Sequence, residues 1–137
     1  MTSPAAERPP AGGPGRPPVP PAALLAAEVA DEKLGRDTVV LAMGELLGLV
    51  DAFVITSGRN PRQVRTLVEE IERRLKQRLG LPPASIEGLQ DASWVLMDYG
   101  DVVVHVFFDE SRRYYDLEHL WSRAPRLAWH GAVRAAP

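Results

Sequence analysis

The spacing of apolar positions changes several times along the chain, and each change marks an element. Positions 22–34 are alanine-rich, and Gly35 follows where a left-handed cap is favoured, so a first helix is expected there. Positions 38–43 (Thr-Val-Val-Leu-Ala-Met) put β-branched and apolar residues on both sides, the pattern of a buried strand. Residues 44–50 make a connector with room for one helical turn, and 52–56 (Ala-Phe-Val-Ile-Thr) repeat the buried-strand pattern. Next, Ser57-Gly58-Arg59-Asn60-Pro61 ends a strand and opens a helix. Asn60 suits the N-cap, Pro61 the first helical position, and Gln63 the reciprocal place of a capping box. Val64, Leu67, Val68, Ile71, Leu75 and Leu79 recur at helical spacing until Gly80 and Pro82-Pro83, which predicts a helix over 61–79. Two more strands are expected at 94–98 and 102–108, joined by Asp98-Tyr99-Gly100-Asp101, with Gly100 supplying the positive φ of a tight hairpin. The second is almost wholly apolar, hence central. Asp109 or Ser111 is expected to cap a last helix carrying Tyr114, Leu117 and Trp121 on one side, ended by Pro125. The order is helix, strand, strand, helix, hairpin, helix. The long helix permits a crossover, so the fold class is α/β: a small mixed β-sheet with helices packed against it.

Composition trims this domain at both ends. Eight of the 13 prolines fall in residues 1–21, too little apolar surface to offset the entropy of ordering. Residues 1–21 are therefore expected to be a disordered proline-rich arm, 22–124 the folded domain, and 125–137 a flexible tail. With no cysteine, disulfides and thiolate chemistry are excluded. No apolar run approaches the roughly 18 residues of a membrane span, and the first residues lack a signal peptide's basic start and apolar centre. The expectation is a soluble cytoplasmic protein that meets neither membrane nor DNA. The net charge of −2 conceals a division. Residues 59–78 hold seven basic residues against three acids; 87–118 hold eight acids against Arg112 and Arg113. An acidic face attracts basic proteins and repels phosphate.

Catalytic signatures are sparse. Ser57 lies between strand and helix, but Thr56 and Gly58 do not make a nucleophile elbow. Ser57-Gly58-Arg59-Asn60 lacks the spaced glycines and lysine of a phosphate loop. His105, His119 and His130 are scattered, with no pair at metal-binding helical spacing, so no metal and no cofactor is expected. Asp98 and Asp101 flank a turn and have the chemistry to hold Mg²⁺ for nucleotidyl transfer, yet no Asp-x-Asp pair occurs. Turn hydrogen bonds are the simpler role for them. The basic helix offers phosphate contacts, as an RNA-binding assembly factor would need, but no interleaved aromatics for stacking. What remains is Trp94, Tyr99, Tyr114, Tyr115 and Trp121 alternating with Asp98, Asp101, Asp116 and Glu118. Aromatic residues carry much of the energy at protein interfaces. The residues thus favour a binding module for a basic protein over an enzyme.

Residues 94–107 (Trp-Val-Leu-Met-Asp-Tyr-Gly-Asp-Val-Val-Val-His-Val-Phe) resemble the signature of the ribosomal silencing factor family, also called Iojap. Residues 113–121, 51–58, 63–65 and Glu87-Gly88 fall in the order that family shows, so the resemblance covers about residues 24–123. It implies a nucleotidyltransferase-like fold without known catalysis. It implies binding to the large ribosomal subunit through its fourteenth ribosomal protein, which is basic, so that the small subunit is sterically kept from joining. It also implies that homodimers occur among members. Carried over by position, the partner-binding residues are Trp94, Val95, Asp98, Tyr99, Asp101 and His105, with Trp94 and Tyr99 as apolar anchors and the two aspartates meeting cations. The departures are Ala42-Met43-Gly44 at the end of the first strand, the small Ala52, and Asn60-Pro61 at the helix start.

Overall fold

A computed structural model describes residues 19–129. The first 18 residues of the expected arm, and residues 130–137 with His130, lie outside the described residues. The elements are α1 (Pro21–Glu32), β1 (Arg36–Ala42), α2 (Gly44–Leu47), β2 (Ala52–Gly58), α3 (Pro61–Leu79), β3 (Ser85–Glu87), β4 (Trp94–Asp98), β5 (Val102–Phe108), α4 (Asp109–Tyr115), α5 (Leu117–Leu120) and β6 (Arg126–Leu127). The strands form one mixed sheet in the order β3-β4-β5-β2-β1-β6. β2 and β5 run parallel at its centre and all other pairs are antiparallel. The parallel pair needs a crossover, and α3 provides it.

Side-chain parity divides the core into two layers. Val40, Ala42, Ala52, Val54, Val95, Met97, Val102, Val104 and Val106 point to one face, which α1 and α3 cover. From α1 come Ala22, Ala23, Ala26, Ala27 and Ala30, all buried; alanine lets the helix approach closely. From α3 come Val64, Leu67, Val68, Ile71 and Leu75. Each large side chain removed from water there contributes about 1.5–3 kcal/mol. Leu41, Met43, Phe53, Ile55, Val103 and Phe107 point to the other face, where Leu117 and Ala124 are the buried covering residues and Leu46 and Trp121 pack at the margin.

The helix over 61–79 ends as its sequence predicts. The Asn60 Oδ1 accepts from the Gln63 amide at 2.8 Å, and Gly80 adopts the left-handed cap. The Gln63 Oε1 returns a bond to the Arg59 amide, one residue before the cap rather than to the cap itself. Elsewhere the structure corrects the reading. Leu34, not Gly35, takes the left-handed conformation (φ 67°). Gly35 is required because a Cβ would stand 2.5 Å from Thr56 Oγ1. β3 was not anticipated; Ser85–Glu87 is too short to show a period and exists by pairing with β4.

The last helix is two. Asp116 turns left-handed (φ 49°) between α4 and α5, and neither Asp109 nor Ser111 caps α4. The break carries Leu117 under the sheet while Tyr114 stays 81% exposed, so the expected shared face does not form. The chain from 125 was expected to be loose, but Arg126–Leu127 pairs with β1 and Trp129 is buried, its Nε1 donating to the Thr38 carbonyl at 3.1 Å.

That carbonyl belongs to a β-bulge. Between Arg36↔Ser57 and Val39↔Ile55 the register slips, and Asp37 turns to φ 49°. A bulge leaves strand carbonyls without ladder partners. Arg112, buried on α4, meets two of them: Nη1 donates to the Arg36 carbonyl at 3.0 Å and Nη2 to the Asp37 carbonyl at 2.6 Å. Its remaining donors engage Ser57 Oγ at 3.1 Å and both Glu118 oxygens at 3.0 Å each.

Candidate functional site

The face of the sheet away from α1 and α3 carries the aromatic cluster. Alternation along β4 puts Trp94, Leu96 and Asp98 on this face and Val95 and Met97 beneath the helices. On β5 the matching row is Val103, His105 and Phe107. The Trp94 ring stacks on Phe107 with centroids 5.0 Å apart and leans on Tyr115 at 4.8 Å. His105 meets the edge of Phe53 at 4.5 Å, and Phe53 meets Trp121 at 6.1 Å. Trp94 Nε1 donates to His105 Nδ1 at 3.1 Å. Trp94 stays half-buried, and beside it a shallow hollow of about 320 Å³ is lined by Glu87, Gly88, Trp94 and Leu96.

The six residues singled out from the sequence do not share one surface. Trp94 is half-buried on the open face. Asp98 shares that strand row, and its Oδ1 accepts from the Gly100 amide at 2.8 Å, organising the turn. Asp101 is exposed, and its carbonyl takes the amides of both Asp51 and Ala52, which brings the Asp51 and Asp101 carboxylates to the same end of the sheet. Val95 is fully buried on the helix side. Tyr99 packs against the helix-side core; its hydroxyl has no partner among the described residues, and burial, with Glu72 nearby, pushes its pKa up to about 12. Tyr99 is thus half-buried on the helix side, whereas Trp94 is half-buried on the other face. His105 is 3% exposed, and burial lowers its pKa to about 4, so the ring is neutral. Sequence reasoning missed Leu96 and Phe107, which strand parity from Trp94 would have found, and Arg112, which no local pattern marks.

Charge is unevenly distributed along the chain. Residues 37–58 and 79–111 contain no lysine or arginine, and Glu45, Asp51, Asp98, Asp101, Asp109 and Glu110 fall within them. The basic residues of α3 lie on the helix side of the sheet. Several are already engaged there: Arg74 with Glu32 at 2.6 Å, Arg73 with Glu70 at 2.5 Å, and Arg65 with the Gln90 carbonyl at 2.7 Å. A second hollow, of about 490 Å³, opens where β2 and β5 end and is lined by Arg36, Ser57, Asp109, Arg112 and Glu118 among others. Within it Arg36 pairs with Asp109 at 2.9 Å, and Glu118 with Arg112 at 3.0 Å and Arg126 at 3.6 Å. Ser57 is 1% exposed and hydrogen-bonded. Among the described residues no three His, Asp or Glu side chains cluster to hold a metal, and no helix is long and apolar enough to cross a membrane.

Residues 17–136 match the family model described as ribosomal silencing factor during starvation. The chain belongs to the ribosomal silencing factor family. A relative named ribosomal silencing factor RsfS, from Halalkalibacterium halodurans, is 38% identical over 109 residues, covering 80% of this chain and 92% of that one. A crystal structure of a Chromobacterium violaceum protein superposes with a TM-score of 0.70 at 36% identity, covering 74% of this chain and 83% of that one. A mouse protein named mitochondrial assembly of ribosomal large subunit protein 1 is 33% identical over 90 residues, which is 64% of this chain and 39% of that protein. In this ribosomal silencing factor, then, the stretch that resembled the family signature is the β4–β5 hairpin, with Trp94 and Leu96 half-buried on one face and the other face under α3.

Proposed function

We propose that this protein is a translational repressor that docks its open sheet face on the large ribosomal subunit, through the basic fourteenth ribosomal protein, and so blocks joining of the small subunit. It catalyses no reaction in doing so. The observation that carries the reading is the half-buried Trp94 platform, stacked on Phe107 and tilted against Tyr115, in a stretch of chain free of lysine and arginine. Such a surface supplies an aromatic anchor with a carboxylate rim for a cationic protein. Trp94, Leu96, Asp98 and Asp101 are the contact residues; Val95 and Tyr99 support them from beneath.

Cosedimentation with isolated large subunits, scored against joined ribosomes, tests this. Wild-type protein is expected with free large subunits and absent from joined ribosomes. Trp94→Ala with Asp101→Lys should abolish cosedimentation while the far-ultraviolet circular dichroism is kept. Undiminished binding by that double variant refutes the assignment. The mouse relative's name favours a second reading, a role in large-subunit assembly. Accumulation of large-subunit precursors in cells lacking the protein separates it from repression of joining.

A further inference from the structure

Residues 102–108 are valine and phenylalanine apart from His105, and an aliphatic side chain there would pack without polar groups to satisfy. Histidine has a cost at such a site. Its Nδ1 accepts from the Trp94 indole, so in the neutral ring the proton sits on Nε2. That Nε2 is buried and has no hydrogen-bond partner among the described residues. A buried donor left unmade is unfavourable, so what distinguishes histidine from valine here is the acceptor at Nδ1. The indole N–H is the single polar group of Trp94. Fixing it restrains the rotation of the ring, which otherwise rests on ring contacts with Phe107, Tyr115 and His105.

We propose that His105 is a positioning residue of the docking surface: it does not touch the partner, and instead holds the Trp94 indole through Nδ1 in the one orientation the partner recognises. The proposal rests on the reading of the Trp94 face as the docking surface. Its physical basis is preorganisation. A side chain already confined loses less freedom on binding, which corresponds to roughly a three- to tenfold tighter complex.

The test separates positioning from docking. In the free wild-type protein, a long-range proton–nitrogen correlation spectrum should show His105 protonated at Nε2. The Trp94 indole proton, identified by its loss in Trp94→Phe, should exchange slowly with solvent. His105→Leu keeps the bulk and removes the acceptor. It should release the indole to rapid exchange and weaken binding to isolated large subunits roughly three- to tenfold. His105→Asn, whose amide oxygen stands near the place of Nδ1, should restore both. Trp94→Phe should lose as much affinity as His105→Leu, and the pair together no more than either alone. An Nδ1-protonated ring in the wild type overturns the proposal without any variant having to fold. So does wild-type affinity in His105→Leu with a freely exchanging indole. If Trp94→Ala also binds as tightly as wild type, the docking reading itself has failed. If Trp94→Ala fails to bind while His105→Leu binds normally, the positioning role alone is lost.

Discussion

Replacing Arg112 by methionine removes five hydrogen bonds from one buried guanidinium while roughly keeping the volume of its stem. What is left behind sets the magnitude. The Asp37 carbonyl, held at 2.6 Å, loses its donor in a bulge that offers no ladder bond. The Arg36 carbonyl keeps the Ser57 hydroxyl at 3.3 Å. Glu118 loses a two-pronged partner but retains Arg126 at 3.6 Å, and its side chain is 23% exposed. Breaking a buried pair by removing one member costs about 3–5 kcal/mol; the partial exposure of Glu118 and its second cation place this case near about 3 kcal/mol. With a denaturant slope of about 1–3 kcal/mol per molar for a small domain, the urea midpoint should fall by about 1–3 M. Adding Glu118→Gln removes the stranded charge and should recover about 1 kcal/mol or more. Arg112→Lys keeps the charge without the fork and should recover less than half. A loss under about 1 kcal/mol for Arg112→Met would show that Arg112 merely decorates the bulge and does not fasten α4 to β1.

Gly88 has φ 89°, and a Cβ there would collide with the Trp94 carbonyl oxygen. Gly88→Ala should destabilise the domain by about 1–3 kcal/mol in thermal denaturation and weaken large-subunit binding, because relief displaces the strand bearing Trp94. Tyr99→Phe deletes a hydroxyl that has no partner among the described residues and should leave both melting temperature and binding unchanged or improved. In absorbance titration it should remove the late tyrosine step near pH 12. His105 has a folded pKa of about 4, below the ordinary value of 6.5, so the unfolded chain binds more protons in between. Its stability contribution is complete above about pH 6.5 and declines as pH falls toward about 4, by about 3 kcal/mol in all. Urea midpoints should show that slope in the wild type and lack it in His105→Asn.

Local chemistry was enough to read α3. Asn60, Pro61 and Gly80 are residues whose own conformational preferences start and stop a helix, and the apolar stripe between them needs no knowledge of the rest of the fold. The hairpin was legible for the same reason, through Gly100 at φ 90°. The faces of its side chains were legible too, by strand alternation. Trp94 and Tyr99 are five positions apart, and alternation alone sends them to opposite sides of the sheet. What could not be read is what depends on distant pairing. Arg112 answers a bulge some 75 residues earlier, the break at Asp116 follows from bringing Glu118 back to Arg112, and β6 is two residues that become a strand only beside β1. In each case tertiary contacts overrode a local preference for a longer helix or for loose chain.

The sheet's two rims are stubs. β3 has three residues, preceded by Pro82-Pro83 and ending in Glu87, and β6 has two. Long, flat, uncharged borders invite a neighbouring chain to extend the ladder; abbreviated ones with proline and charge discourage it. On the proposed docking role, an aromatic surface that awaits a partner carries a danger of self-association. Blunted margins leave that surface as the sticky part of the sheet, and restrict its encounters to shapes that match a ring and a carboxylate rather than to any strand in need of a partner.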